Sequence, residues 1–147
     1  MKLTHVLLGE HAVLYSLFDH IERQLAAGAD LAALQAIGGA LAEALVSHAK
    51  LEDELLFPAL ASTPAAEGPV SVMREEHGDI DELCADLPRA DDADDAAALL
   101  GEIIEMSRAH FAKEEHMLFP LVEQLADATE LECLTENWAR LRGVTLG

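Results

Sequence analysis

The chain has 147 residues, the length of one domain, and 51% of them are hydrophobic, enough to fill one core. Only 4% are aromatic, which favours an Ala- and Leu-rich helical protein over a sheet. The 28 Asp and Glu against 9 Lys and Arg give a formal charge of −19, which repels phosphate backbones and anionic lipid and argues against nucleic acid or a membrane as partner.

Apolar residues recur at helical spacing almost throughout. The N-terminal segment to His11 has no apolar run of signal-peptide length, and no stretch reaches the roughly 18 continuous apolar residues of a membrane span. A first helix is predicted from about Leu3 to Ala27, stopped by Gly28. Asp30 is placed to cap a second, which runs to about Ala61; Gly38 and Gly39 either weaken its early part or let a neighbouring helix come close. The segment Ser62 to Pro69 is the clearest break, and a third helix is expected from near Pro69 to Leu87, just before Pro88. After an acidic, low-complexity stretch from Ala90, a fourth helix runs from about Asp92 to Ala126. Thr129 and Glu132 have capping-box spacing for a short fifth helix over 129–141, which Trp138 packs onto the rest. Pro58 and Pro120 fall inside the second and fourth patterns and should kink or end those helices. The expectation is one all-α domain over 1–147, an up-down-up-down antiparallel four-helix bundle with a short C-terminal fifth helix. Two cysteines, Cys84 and Cys133, make no disulfide framework, so a reducing, cytoplasmic location is expected.

Two phrases are doubled. Residues 48–60 read HAKLEDELLFPAL and residues 110–122 read HFAKEEHMLFPLV. Each sets a His four residues before a Glu and closes on Leu-Phe-Pro. A shorter phrase, EHAVLYSL from Glu10, returns as EHGDIDEL from Glu76. The phrases alternate, with offsets of 66 residues between His11 and His77 and 62 between His48 and His110, so 3–62 and 69–126 form a pseudo-repeat.

An i, i+4 pair shares one helix face, about 40° and about 6 Å apart. His48 with Glu52, and His110 with Glu114, can each aim at one point inside a bundle. A carboxylate from each of two helices can bridge two metals, each also held by an imidazole from its own helix. His11 and His77 add one imidazole per metal. Mixed imidazole and carboxylate ligands suit iron, manganese or zinc rather than calcium. A lone His on an apolar helix face is more often a satisfied core residue. Here Leu45 and Leu55 frame His48, Met106 and Met117 frame His110, and burying four His and two Glu without a metal is very costly.

The remaining polar residues are read around that set. Tyr15 and Asp81 each lie four residues past a repeated His, as an extra ligand or as a partner of one; for Tyr15 a core position is the other reading. Glu10 and Glu76 either face away or orient a His by hydrogen bond. Glu115 and its repeat mate Asp53 read as surface acids. His5, His20 and His116 fall off the metal face, and Cys84 reads as pocket lining.

These residues resemble the hemerythrin-like (HHE cation-binding) family over about residues 3–126. The family pattern has a His on the first helix, HxxxE on the second, His on the third, and His with a carboxylate on the fourth. The chain offers His11, His48 with Glu52, His77, and His110 with Glu114. The Leu-Phe-Pro endings look like the bacterial-type branch. The resemblance implies two non-haem Fe ions bridged by Glu52, Glu114 and a solvent-derived oxo or hydroxo group. His11 and His48 would hold one iron, and His77 and His110 the other; Zn or Mn could substitute. The oxygen-carrying members have two His four residues apart on the third helix, whereas His77 here has Met73 before it and Asp81 after it.

No Glu is followed by His at i+3, and HExxH, CxxC and a Gly-rich phosphate loop are absent, which removes the ferritin-like and several other enzyme classes. No residue stands out as a general acid or as an anchor for an organic substrate, and Tyr15 is the one candidate for a catalytic role. The apolar residues Leu7, Leu14, Leu51 and Ile80 leave room only for a small neutral ligand, a diatomic or a peroxide. Chemistry with O2, H2O2 or NO is therefore expected. Redox turnover such as peroxide decomposition is favoured over a carrier or sensor without turnover, because an added phenolate or carboxylate stabilises Fe(III). The sequence names no protein partner.

Overall fold

The structure, a computed structural model describing residues 1–146, contains helices and short connections and no strand among the described residues. Helix α1 spans Leu3–Ala26 and stops at Gly28, whose φ of 72° lies in the left-handed region that glycine takes without strain. Helix α2 spans Leu31–Leu60, and the Asp30 carboxylate accepts the Ala33 amide at 2.8 Å to cap it. Helix α3 spans Pro64–Asp86 and tightens into a 3-10 turn, Leu87–Arg89. Helix α4 covers 93–125, capped by Asp92, which accepts the Asp95 amide at 2.8 Å. Helix α5, Ala128–Arg142, ends on Gly143 at φ 67°.

Cross-helix pairs give the direction of each element. Lys2 meets Glu123 and Arg108 meets Asp19, so α1 and α4 run antiparallel; short connections turn the chain back between consecutive helices, which pack together. This is the expected helical bundle with a short C-terminal helix. The core falls into two apolar clusters, one around Leu7, Leu56 and Phe119 and one around Phe18, Leu41 and Leu100. The buried His of α1, α2 and α3 separates the residues that helix gives to one cluster from those it gives to the other. The functional side chains therefore sit at mid-height, between two dry layers.

Of the two glycines singled out, Gly38 is the close approach. A Cβ there would lie 2.1 Å from Leu87 Cδ2 and 3.1 Å from Leu100 Cδ2, whereas Gly39 faces open space. Helices α2 and α4, which carry the two His/Glu phrases, thereby meet across the bundle.

Three boundaries differ from expectation. Helix α3 begins at Pro64, because a proline in the first helical position gives up no hydrogen bond; Pro69 then lies inside the helix, near enough to its start to be tolerated. Helix α5 is capped by Asp127 rather than by Thr129, its carboxylate accepting the Glu130 amide at 2.8 Å. Pro58 and Pro120 neither end their helices nor stand alone. Each follows a single π turn, Glu52–Leu56 or Glu114–Leu118, and the α-helix resumes with the proline in its first turn. The wider turn takes up the missing donor: the Phe57 amide reaches the Glu52 carbonyl and the Phe119 amide reaches that of Glu114. By length and mean composition α2 is apolar enough to cross a membrane, though polar residues interrupt it, and it buries Leu34, Leu41, Leu45, His48 and Glu52 against its neighbours.

Candidate metal centre

Both π turns begin on the glutamate of an HxxxE phrase, so the helix widens where the carboxylate turns inward. Glu52 and Glu114 are wholly buried, and His11, His48, His77 and His110 are buried beside them. Their ligand atoms form two overlapping groups, His11, His48, Glu52 and Glu114, and Glu52, His77, His110 and Glu114. Within each, one ligand atom per residue lies within 4.8 Å of all the others. Each carboxylate belongs to both groups. Glu52 sets Oε1 3.2 Å from His48 Nε2 and Oε2 3.2 Å from His77 Nε2. Glu114 sets Oε1 2.9 Å from His110 Nε2 and Oε2 3.2 Å from His11 Nε2.

These distances are short, yet the geometry is not that of hydrogen bonds. All four oxygens of Glu52 and Glu114, with both ring nitrogens of His77 and Nε2 of His110, are buried without a hydrogen-bond partner. Leaving such groups unmet costs at least about 1–3 kcal/mol each, more where they are charged. Lone pairs that converge on shared points rather than on donors fit a cation.

The outward Nδ1 atoms are held by carboxylates. His48 donates to Glu10 at 2.7 Å, His110 to Glu76 at 2.8 Å, and His11 to Glu115 at 2.9 Å. His77 Nδ1 lies 3.6 Å from Asp53, beyond a hydrogen bond. Glu10 and Glu76 thus orient a His, as one of their two readings had it. The His is not the neighbour in sequence but the one on the next helix. Glu115 and Asp53 are not idle surface acids, since each faces a buried imidazole. The repeat itself carried that signal, because these acids are doubled as the ligands are.

Tyr15 is half-buried and in neither group. Its hydroxyl donates to Glu115 at 2.9 Å, and burial, then Glu115, push its ionisation well above the usual phenol range. Asp81 is exposed and also lies outside both groups. Cys84 packs in the apolar core, where burial raises its thiol to about 11. His5, His20 and His116 are exposed, as their spacing predicted, but Met117 is exposed too and does not frame His110. Trp138, read only as packing, donates its indole N–H to Glu10 at 2.7 Å, beside Arg142.

Charge is balanced within this shell. Burial works against ionised Glu52, but the nearby charges of His48 and His77 hold its carboxyl well below the usual range. Burial likewise opposes a proton on His48, but Glu52 and Glu10 raise it to about 10. Glu10 is pulled up by burial and down more strongly by Arg142, His48 and Trp138, to about 2. A proton on the inner nitrogen of His48 occupies the place of a cation and must leave when one binds.

The model of the hemerythrin HHE cation-binding domain matches residues 2–122 and again residues 80–145. The chain belongs to this family. Neither the curated proteins nor the solved structures compared with it give a match. As a member of the hemerythrin family the chain is a metal-binding helical bundle, and its buried His/Glu groups could hold the cation. Of the two positions four residues from His77, Met73 is buried in the apolar cluster beside the centre and Asp81 is exposed.

Proposed function

We propose that this hemerythrin-like centre holds two Fe ions, bridged by Glu52 and Glu114, and binds or reacts with a small oxidant such as O2, H2O2 or NO. The carrying observation is that each buried glutamate shares its two unpartnered oxygens between the two histidine pairs. His11 and His48 would hold one ion, and His77 and His110 the other. Bound iron supplies the one-electron redox steps that such an oxidant requires. The chain's own part is to orient three imidazoles through Glu10, Glu76 and Glu115 and to keep the centre dry between two apolar clusters. A void of about 10 Å3, lined by His48, His77, His110, Ile80, Phe111 and Asp81, has room for one water-sized molecule beside the ligands.

Tyr15 bears on the choice between turnover and binding. Spacing made it a candidate phenolate ligand, the feature that weighed towards peroxide turnover. With its hydroxyl donated to Glu115 and outside both ligand groups, Tyr15 weighs less towards such a ligand than its spacing did. Its place supports carriage or sensing of O2 or NO as the second reading, at the same centre. The discriminating experiment is anaerobic reduction followed by rapid mixing with O2 and with H2O2. A reversible O2 adduct supports carriage, repeated consumption of peroxide supports turnover, and absence of any reaction overturns the oxidant reading. About two irons per chain are expected after iron-replete expression. Glu52→Ala and Glu114→Ala should lose most of them, and Glu115→Ala should weaken retention by about 10-fold through His11. Equal retention in all three variants would sink the bridging assignment.

A further inference from the structure

The two halves of the centre have the same ligand residues, but His11 Nε2 lies 3.0 Å from His48 Nε2 while His77 and His110 leave Nε2 unpartnered, and one layer out the halves differ further. In the half formed by His77 and His110, Glu76 accepts His110 Nδ1–H and is held by Lys113, while His77 Nδ1 has no partner. In the half formed by His11 and His48, both imidazoles are fixed, His11 by Glu115 and His48 by Glu10. Glu10 is held by a fork rather than a point charge. Arg142 donates Nε to Oε1 at 2.7 Å and Nη2 to Oε2 at 2.8 Å, and Trp138 Nε1 donates to Oε1 at 2.7 Å. Arg142 is itself aligned on α2, where Nη1 donates to Ser47 Oγ at 2.5 Å. A planar, bidentate guanidinium fixes a carboxylate's orientation, which a flexible lysine ammonium does not.

Hydrogen bonds from a ligand imidazole to an oriented carboxylate are commonly worth about 10- to 100-fold in metal affinity. We propose that helix α5 makes the metal centre unequal: Arg142 and Trp138, acting through Glu10, position His48, and the His11/His48 half takes up a divalent cation more tightly than the His77/His110 half. Neither residue touches the centre; both are positioning residues. The inference rests on the metal-centre reading but not on the identity of the metal.

The test is an anaerobic Co(II) titration of the whole chain against a competing chelator. Visible absorption reads occupancy, and emission of Trp138, the chain's one tryptophan, reads the environment of Glu10. Wild type should fill in two steps separated by about 10-fold or more, with the emission change confined to the first. Arg142→Met should weaken the first step by about 10-fold or more and leave the second in place. Arg142→Lys should recover part of the loss, and Trp138→Phe, which keeps the ring packing without the N–H, should shift the first step in the same direction by less. Lys113→Met should move the second step alone. Helix content by circular dichroism identifies any variant that fails to fold, and the two milder substitutions then decide. Two equal steps in wild type, or an unmoved first step in Arg142→Lys and Trp138→Phe, would overturn the inference while leaving the metal centre standing. A wild type that takes up no cation removes both.

Discussion

The α1/α2 half and the α3/α4 half repeat one pattern, but only the first is covered by α5. Val6 and Val72 stand at equivalent places five residues before a ligand His, and they are 9% and 44% exposed. Leu55 and Met117, each inside a π turn and seven residues past a His, are 9% and 61% exposed. At the ligands the equivalence is nearly complete. The symmetry is kept where two cations would demand it and abandoned where an extra element packs. The apolar frame of a motif is therefore a statement about neighbours, whereas its ligand spacing is a statement about the helix itself.

Equivalent substitutions in the two halves sharpen that contrast. The largest difference is expected at the π turns. Leu55→Ala should cost about 2–3 kcal/mol by opening a cavity, and Met117→Ala at most about 0.5 kcal/mol, both read by denaturant unfolding. Equal costs would mean that α5 does not cover the first half in solution. The repeat also pairs Gly38 with Leu100, a small residue facing a large one across the bundle. Gly38→Ala should destabilise by about 1–2 kcal/mol, because the Leu87 and Leu100 methyls must move within a packed core. A stabilised variant would show that the contact relaxes at no cost.

The smallest effect is on acid stability. Glu10 is held at about 2 against an ordinary 4.5, so its contribution to stability is present above about pH 4.5 and is lost as pH falls through about 2. Without the guanidinium, Arg142→Met should begin that loss at higher pH in cation-free protein. Lys113→Met should do so less, because Glu76 is held by fewer groups. Circular dichroism against pH reads both, and coincident acid midpoints for all three proteins would contradict the contrast.

Much of this was legible in the sequence. Five helices followed from apolar periodicity and cap residues, and six buried ligand candidates followed from two doubled phrases. What escaped did so for two reasons. A helical wheel of fixed period places Glu115 and Asp53 off the metal face, but the π turns shift the register at the residues in question. The contacts of Trp138 and Arg142 with Glu10 span 128 and 132 residues, and no local pattern announces a pairing at that separation. The same π turns explain why Pro58 and Pro120 do not break their helices, since a proline's missing donor matters less where the ladder is already widened.

Those turns also bear on how the bundle breathes. Each is a stretch where the regular ladder is interrupted and where the second residue beyond it, a proline, has no N–H to give. Local opening starts at such places, and here they lie at the same height on α2 and α4, with a buried carboxylate at the head of each. A cation gripping both carboxylates would join the two weakest points of the backbone to one another. The centre would then govern the pace of opening as well as its own chemistry, and loss of the cation would loosen the middle of the bundle before either end.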